Sequence, residues 1–202
     1  DKPEMLNKLL KNLTEFLNED ENSLIKIGII HYQFESIHPF YDGNGRTGRI
    51  INILYLLLKK YLEIPILYLS SFIIKNKTKY YELLRNVTKN DEWEEWILFI
   101  LKGIEITSKE TIVKIKQIKI LIDKNIEYIK EKLPKIYSKE LVELLFENPY
   151  CKVEFLVNGL GIERKAASRY LYQLSEIRIL QLKKIGRENI FINKELMGIL
   201  KK

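Results

Sequence analysis

His38-Pro39-Phe40-Tyr41-Asp42-Gly43-Asn44-Gly45-Arg46-Thr47-Gly48-Arg49 brings unusual chemistry into twelve residues. It holds one of the two histidines of the chain, three of its nine glycines, one carboxylate and two arginines. Glycines let backbone N–H groups turn toward one point and come close to a ligand. The pattern that follows is helical, and the amino end of a helix adds partial positive charge and free N–H groups. Together these make an anion cradle of phosphate size. Arg46 and Arg49 are three residues apart at that helix start, so both reach one region with forked donors. Asp42 is the carboxylate available to a hard cation beside a polyphosphate, which suits Mg²⁺. His38 stands at the mouth, and a histidine is the side chain that suits a general base near neutral pH. Phe40, between polar neighbours, is expected to point inward and pin the loop to the core. The Gly-Lys-Ser/Thr ending of a Walker loop is absent.

Working outward, the chain reads as mainly helical. Leu6, Leu9, Leu10, Leu13 and Phe16 recur at helical spacing. A second helix, capped by Asn22 or Ser23, carries Leu24, Ile27, Ile30, His31 and Phe34 on one side and stops at Pro39. His31 is expected to be a structural histidine of that apolar side. A third helix is expected from Arg46 or Thr47 to about Tyr61. Its apolar residues run nearly all the way round, as in a central helix surrounded by others. Residues 64–69 read as a short extended piece, 78–88 as helix, and a long helix begins near Trp93 and reaches about Lys132. Pro134 marks the expected boundary between domains 1–133 and 134–202. Beyond it, helices are expected over 138–146, 152–156 and 162–174, with a turn at Asn158, Gly159 and Gly161. Two strands, 177–185 and 188–192, join at Gly186-Arg187.

The 202 residues are 46% hydrophobic and 30% charged, the composition of a globular protein. The net charge of +7 favours anionic partners. Residues 134–202 hold 13 Lys and Arg against 8 Asp and Glu, so most of the excess lies there. Cys151 is the single cysteine, which excludes an intramolecular disulfide and points to a reducing, cytoplasmic compartment. It is expected to serve as a small packing residue. The most apolar window, residues 50–58, is too short to span a bilayer, and no signal-peptide pattern opens the sequence.

The twelve residues match without a gap the signature of the Fic family, His-x-Phe-x-Asp/Glu-Gly-Asn-Gly-Arg-x-x-Arg, and the helical pattern of residues 3–130 resembles the Fic core. The resemblance implies an all-helical core that transfers AMP from ATP to a Ser, Thr or Tyr hydroxyl of a protein target, with auto-modification included. By position, it makes His38 the general base and Asp42 the Mg²⁺ ligand. It places Gly43, Asn44 and Gly45 on the inner phosphates, Arg46 and Arg49 on the outer ones, and Phe40 as anchor. The kinase-like Doc relatives carry lysine where this chain has Gly45, so the resemblance favours nucleotide-monophosphate transfer. Tyr80-Tyr81 resembles the tyrosine pair of the adenine pocket in some members, and ordinary helix packing explains the same pair. Those members place Asn where this chain has Thr88. Residues 60–75 lie where the family has its target-docking flap. Many members are restrained by a Ser/Thr-x-x-x-Glu-Gly/Asn helix whose glutamate pairs with the second arginine, here Arg49. Residues 78–83 and 88–93 miss the pattern at its last position. The expectation is an inhibitory segment upstream of Asp1 and a derepressed fragment.

The segment 138–192 resembles the winged helix-turn-helix that follows the Fic core in one branch of the family. Arg164, Lys165, Ser168, Arg169 and Tyr172 would then lie on the recognition helix and Lys183, Lys184 and Arg187 on the wing, as DNA contacts or as a solvated face beside a protein contact. Three functions remain in play: an AMP-transferring enzyme, a DNA-binding regulator with a nucleotide-sensing core, and a transferase of another nucleotide or phosphoryl group. Self-association into a homo-oligomer is a family habit that no surface pattern here marks.

Overall fold

A computed structural model describes residues 2–19 and 23–201; Asn22, a cap candidate, lies outside the described residues. Two compact units divide the chain, Asp1–Thr111 and Ile112–Lys202. The sequence reading puts the boundary at Pro134, where a helix ends. The units part inside that helix, because its later apolar residues, such as Ile129, belong to the second core.

The first unit contains α1 (Lys2–Asn18), α2 (Ile25–Ile37), α3 (Asn44–Leu58), α4 (Leu69–Lys75), α5 (Lys77–Asn90) and the start of α6 (Trp93–Lys132). Ser23 accepts from the Ile25 N–H at 3.2 Å and so helps start α2. α2 is packed between α1 and α3, which explains its buried face of Ile27, Ile30, His31 and Phe34. Gly28 allows the close approach of α6: a Cβ there would stand 3.1 Å from Ile97 Cγ1. At that crossing the fully buried Trp96 donates its indole N–H to the Gly28 carbonyl at 2.8 Å. A buried donor keeps a partner, since losing it costs about 1–3 kcal/mol.

Several expectations change in this unit. No strand occurs among its described residues, and 59–68 is irregular chain leading into α4. Leu69, Phe72 and Ile73 are buried at i, i+3, i+4 spacing, so the core draws that segment into a helix. α3 begins at Asn44, earlier than expected, because Gly43 takes a left-handed conformation and starts it. α3 is also not surrounded. Ile50, Leu54 and Leu58, one turn apart each, are more than half exposed.

The second unit holds the rest of α6, α7 (Lys139–Glu147), β1 (Tyr150–Cys151), α8 (Val153–Leu160), α9 (Arg164–Glu176), β2 (Gln181–Ile185), β3 (Glu188–Ile192) and α10 (Lys194–Lys201). Ser138 caps α7, accepting from the Leu141 N–H at 3.0 Å. The three strands are antiparallel in the order β1-β3-β2, and Gly186 supplies the positive φ of the β2–β3 turn. Gly159 lies inside α8 rather than in a turn, and a Cβ there would meet Leu144 at 2.6 Å. Gly161 provides the left-handed residue that ends α8. The fully buried Leu141, Leu145, Leu156, Leu171, Leu174 and Phe191 join the helices to the sheet in one core.

Candidate active site

α2 ends at His38, whose backbone is left-handed (φ 50°, ψ 56°) and whose N–H donates to the Phe34 carbonyl at 3.1 Å. Its Nδ1 is 3.3 Å from the Glu35 carbonyl oxygen. A carbonyl only accepts, so Nδ1 is the donor in this contact and Nε2 is not engaged by it. The side chain is exposed. The local fold thus presents the imidazole where α2 gives way to the glycine turn.

The turn is braced from within by Asn44. Its side chain is almost fully buried, accepts from the Phe40 N–H at 2.9 Å and donates to the Phe40 carbonyl at 2.6 Å. Phe40, expected inside, is 51% exposed and only leans on Phe34, with ring centroids 6.3 Å apart. The anchor of the loop is therefore the Asn44 amide. Two backbone hydrogen bonds hold the turn more rigidly than one apolar ring at its edge. Asn44 can still serve a phosphate, through its backbone N–H alone.

Gly43 stands just before α3 with φ 86°, a conformation that suits glycine. The first intrahelical bond runs from the Thr47 N–H to the Gly43 carbonyl at 2.9 Å. The N–H groups of Asn44, Gly45 and Arg46 accordingly have no acceptor within the helix. Asp42 accepts from the Gly43 N–H at 2.6 Å and stands 3.3 Å from Arg46 Nη2. Both side chains are largely exposed, so this pair contributes little to stability and can open. Among the described residues no cluster of three or more His, Cys, Asp or Glu forms a metal cage. A lone exposed carboxylate beside an anion cradle fits Mg²⁺ completed by phosphate oxygens and water.

Arg49, half-buried, donates from Nε to Ser70 Oγ at 2.8 Å, tying α3 to α4. Glu35 faces the same place from α2, and the sequence reading missed it. A Cβ built on Gly45 would lie 3.1 Å from Arg49 Nη1 and 3.8 Å from Glu35 Oε1. One on Gly48 would lie 2.6 Å from Glu35 Oε1. Burial pushes the Glu35 carboxyl above the usual carboxylate range, against the opposing pull of Arg49 and His38. The signal available in sequence was a carboxylate three residues before a catalytic-type histidine on a helix whose neighbours are apolar.

Tyr80 belongs to the core and is no pocket wall. It is 4% exposed, shares a 3.0 Å hydrogen bond with His31 Nε2 and packs among Trp96 and Phe99. His31 is fully buried and stacked on Trp96, and burial lowers its pKa to about 4. It is a neutral structural histidine, as its apolar side of α2 suggests. Tyr81 is half exposed and lines a cavity of about 490 Å³ with Tyr32, Glu35, Ser36, Leu84, Arg85 and Thr88. The Thr88 hydroxyl donates to the Leu84 carbonyl at 3.1 Å and lies 3.0 Å from Tyr32 Oη. A second cavity, about 620 Å³ and mostly apolar, is lined by Arg46, Arg49, Ile50, Leu54, Tyr68 and Ile74 among others.

In the second unit Lys165 and Arg169 are exposed on α9 and Lys184 and Arg187 on the hairpin, while Ser168 is half-buried. Arg164 is 3.4 Å from Glu154, which offsets its charge. Tyr172 accepts from Asn189 Nδ2 at 2.9 Å, so it ties α9 to β3 and is no free contact residue.

The site thus brings together an exposed histidine, a glycine turn opening a helix, and two arginines on that helix. Residues 1–56 match the model of the Fic/DOC family. Residues 121–196 match the C-terminal domain of SoFic-like protein adenylyltransferases, a stretch that includes the end of α6. The amino-terminal part of the chain is thus similar to the Fic/DOC family over residues 1–56. Among relatives, the protein adenylyltransferase fic-1 of Caenorhabditis elegans is 38% identical over 53 residues, 24% of this chain and 10% of that protein. The probable protein adenylyltransferase aq_aa38 of Aquifex aeolicus is 35% identical over 85 residues, 41% of this chain and 24% of that protein. The matches thus span a quarter or less of these relatives' lengths.

Proposed function

We propose that this chain transfers AMP from ATP to a Ser, Thr or Tyr hydroxyl of a protein, itself included. The observation that carries this reading is the exposed His38 imidazole, held through Nδ1 by the Glu35 carbonyl, beside the N–H groups that open α3 without acceptors in the helix. In the step, His38 Nε2 takes the proton of the target hydroxyl. The hydroxyl oxygen bonds to the α-phosphorus, the bond from that phosphorus to the bridging oxygen breaks, and pyrophosphate leaves. Positioning and charge neutralisation dominate such chemistry. The N–H groups of Asn44, Gly45 and Arg46 meet the inner phosphates, and the Arg46 and Arg49 side chains meet the outer ones. Asp42 would hold Mg²⁺, which supplies further neutralisation of phosphate charge.

The cavity beside Tyr81, Tyr32 and Thr88 is the base pocket of this reading, with Tyr81 as a wall and the Tyr32–Thr88 hydroxyl pair at the position where some relatives place asparagine. The apolar cavity beside residues 65–70 is where a target segment docks. Among the described residues no helix is long and apolar enough to cross a membrane, and the buried free Cys151 suits the cytoplasm. Mg²⁺ with each of several nucleotide triphosphates, read by intact mass, tests the reading. An AMP adduct that is lost in His38→Ala supports it; a folded protein that gains no adduct from any nucleotide sinks it.

A second reading concerns the second unit alone. We infer it from an order of helices followed by a hairpin that suits a winged helix, with Lys165, Arg169, Lys184 and Arg187 as exposed cations. Duplex DNA binding with steep salt dependence, weakened by Lys165→Ala and Arg169→Ala, is its signature. No binding at low salt removes it.

A further inference from the structure

The glycine turn has a carboxylate behind it that the proposed chemistry does not use. Glu35 Oε1 is buried and has no hydrogen-bond partner. It is pressed against α3 at Gly48, where a Cβ would overlap it at 2.6 Å. The Arg49 guanidinium lies on the same side of Gly45, within 3.1 Å of a point that Oε1 approaches to 3.8 Å. Arg49 is held by Ser70 rather than by Glu35, so the pair has no direct ion bridge. The other titratable or charged groups facing Glu35 are His31 and His38 on its own helix, and Tyr80, Tyr81 and Arg85 on α5. His31 is held neutral by burial, burial pushes the Tyr80 phenol up, Tyr81 and Arg85 line an open cavity, and His38 is exposed to solvent. Arg49 is therefore the fixed cation that best compensates an ionised Glu35.

A half-buried carboxylate with no donor on its inner oxygen depends on that charge. A polyphosphate on the turn takes the same guanidinium and adds several negative charges next to the carboxylate. Water does not reach Oε1 to screen them. We propose that Glu35 is the resting counter-charge of Arg49, and that phosphate binding takes over the guanidinium, the Glu35 carboxylate then taking up a proton from solvent. This rests on the phosphate role of the turn given above. One carboxylate oxygen gains one solvent proton as one anionic ligand is bound, and no covalent bond of the ligand changes.

Linkage sets the pH dependence. A carboxyl whose pKa is raised by the ligand favours binding fully below its resting value, and the advantage is lost as pH rises through the bound value. The resting value already lies above 4.5, so the window opens on its alkaline side.

The test uses the full chain carrying His38→Ala, with and without Glu35→Gln, and tripolyphosphate as probe. Calorimetric titration in buffers of different ionisation enthalpy, from about pH 5 to pH 8, gives protons taken up per ligand bound. Uptake by the ligand's own phosphates is common to both proteins. The His38→Ala protein is expected to take up more, and the excess disappears with Glu35→Gln. The chain carrying Glu35→Gln is also expected to bind roughly ten-fold more tightly at pH 8, the effect of about one pKa unit. As a second readout on the His38→Ala protein alone, affinity falls with rising pH beyond the ligand's own titration. Equal uptake in the two proteins, or a flat affinity profile, overturns the inference while leaving the phosphate site intact. No binding of tripolyphosphate overturns both.

Discussion

Asn44→Ala separates a brace from a ligand. In the structure the Asn44 amide makes two hydrogen bonds to one residue, accepting from the Phe40 N–H at 2.9 Å and donating to its carbonyl at 2.6 Å. Both sites are partly buried, so water replaces them incompletely. Each neutral hydrogen bond contributes about 0.5–1.5 kcal/mol net, and truncation leaves both backbone groups of Phe40 without partners. The expected loss is about 2 kcal/mol, well outside the range of a surface change. Urea denaturation followed by circular dichroism measures it as a lower midpoint at unchanged slope. Asn44→Asp sharpens the test. It keeps an acceptor for the N–H but sets a carboxylate against the Phe40 carbonyl, so it should cost more than alanine at pH 7 and recover on acidification. If Asn44→Ala unfolds within about 0.5 kcal/mol of the parent and loses only polyphosphate affinity, the side chain is a ligand and the brace is wrong.

Three further outcomes are expected. Burial holds His31 down to about 4, so the fold's preference for its neutral form is present above pH 6.5 and lost as pH falls through about 4. Urea titrations over that window should show a decline of roughly 3 kcal/mol that His31→Gln flattens. Ser138→Ala removes the cap of α7 and should cost about 1 kcal/mol in the second unit, read by hydrogen exchange of α7 amides. Cys151 is fully buried and its thiol is pushed up to about 12, so iodoacetamide should label it in urea and not in the folded protein, as mass spectrometry would report.

The long elements were legible in the sequence because their apolar period is long. α6 begins at Trp93 and ends at Lys132 as the pattern indicates, and the turn at Gly186 follows from its flanking β-branched residues. α4 was hidden because seven residues with Pro65 just upstream resemble an extended run, and only tertiary burial of Leu69, Phe72 and Ile73 decides it. β1 and α10 are too short to carry a period of their own. At the site, residue identity announced the loop but not which way side chains face. Phe40 turned out half exposed, Asn44 turned inward, and Tyr80 entered the core while its neighbour Tyr81 stayed at the cavity. Residues side by side on a helix point about 100° apart, so a tyrosine pair cannot line one pocket with both rings equally. Glu35 escaped notice because its place three residues before His38 does not by itself show that it faces Gly48 and Arg49 of α3.

In the proposed reaction His38 removes a proton so that an AMP group is joined to a protein hydroxyl at the glycine turn. Incubating the chain with Mg²⁺ and ATP labelled in the α-phosphate, and weighing the intact protein and its candidate targets, tests it most directly. The expected result is a mass gain of one AMP that retains the α label and vanishes in His38→Ala, a variant that should stay folded because the His38 side chain is exposed. A gain of phosphate alone, or an AMP adduct that persists at the same rate without the imidazole, would contradict it.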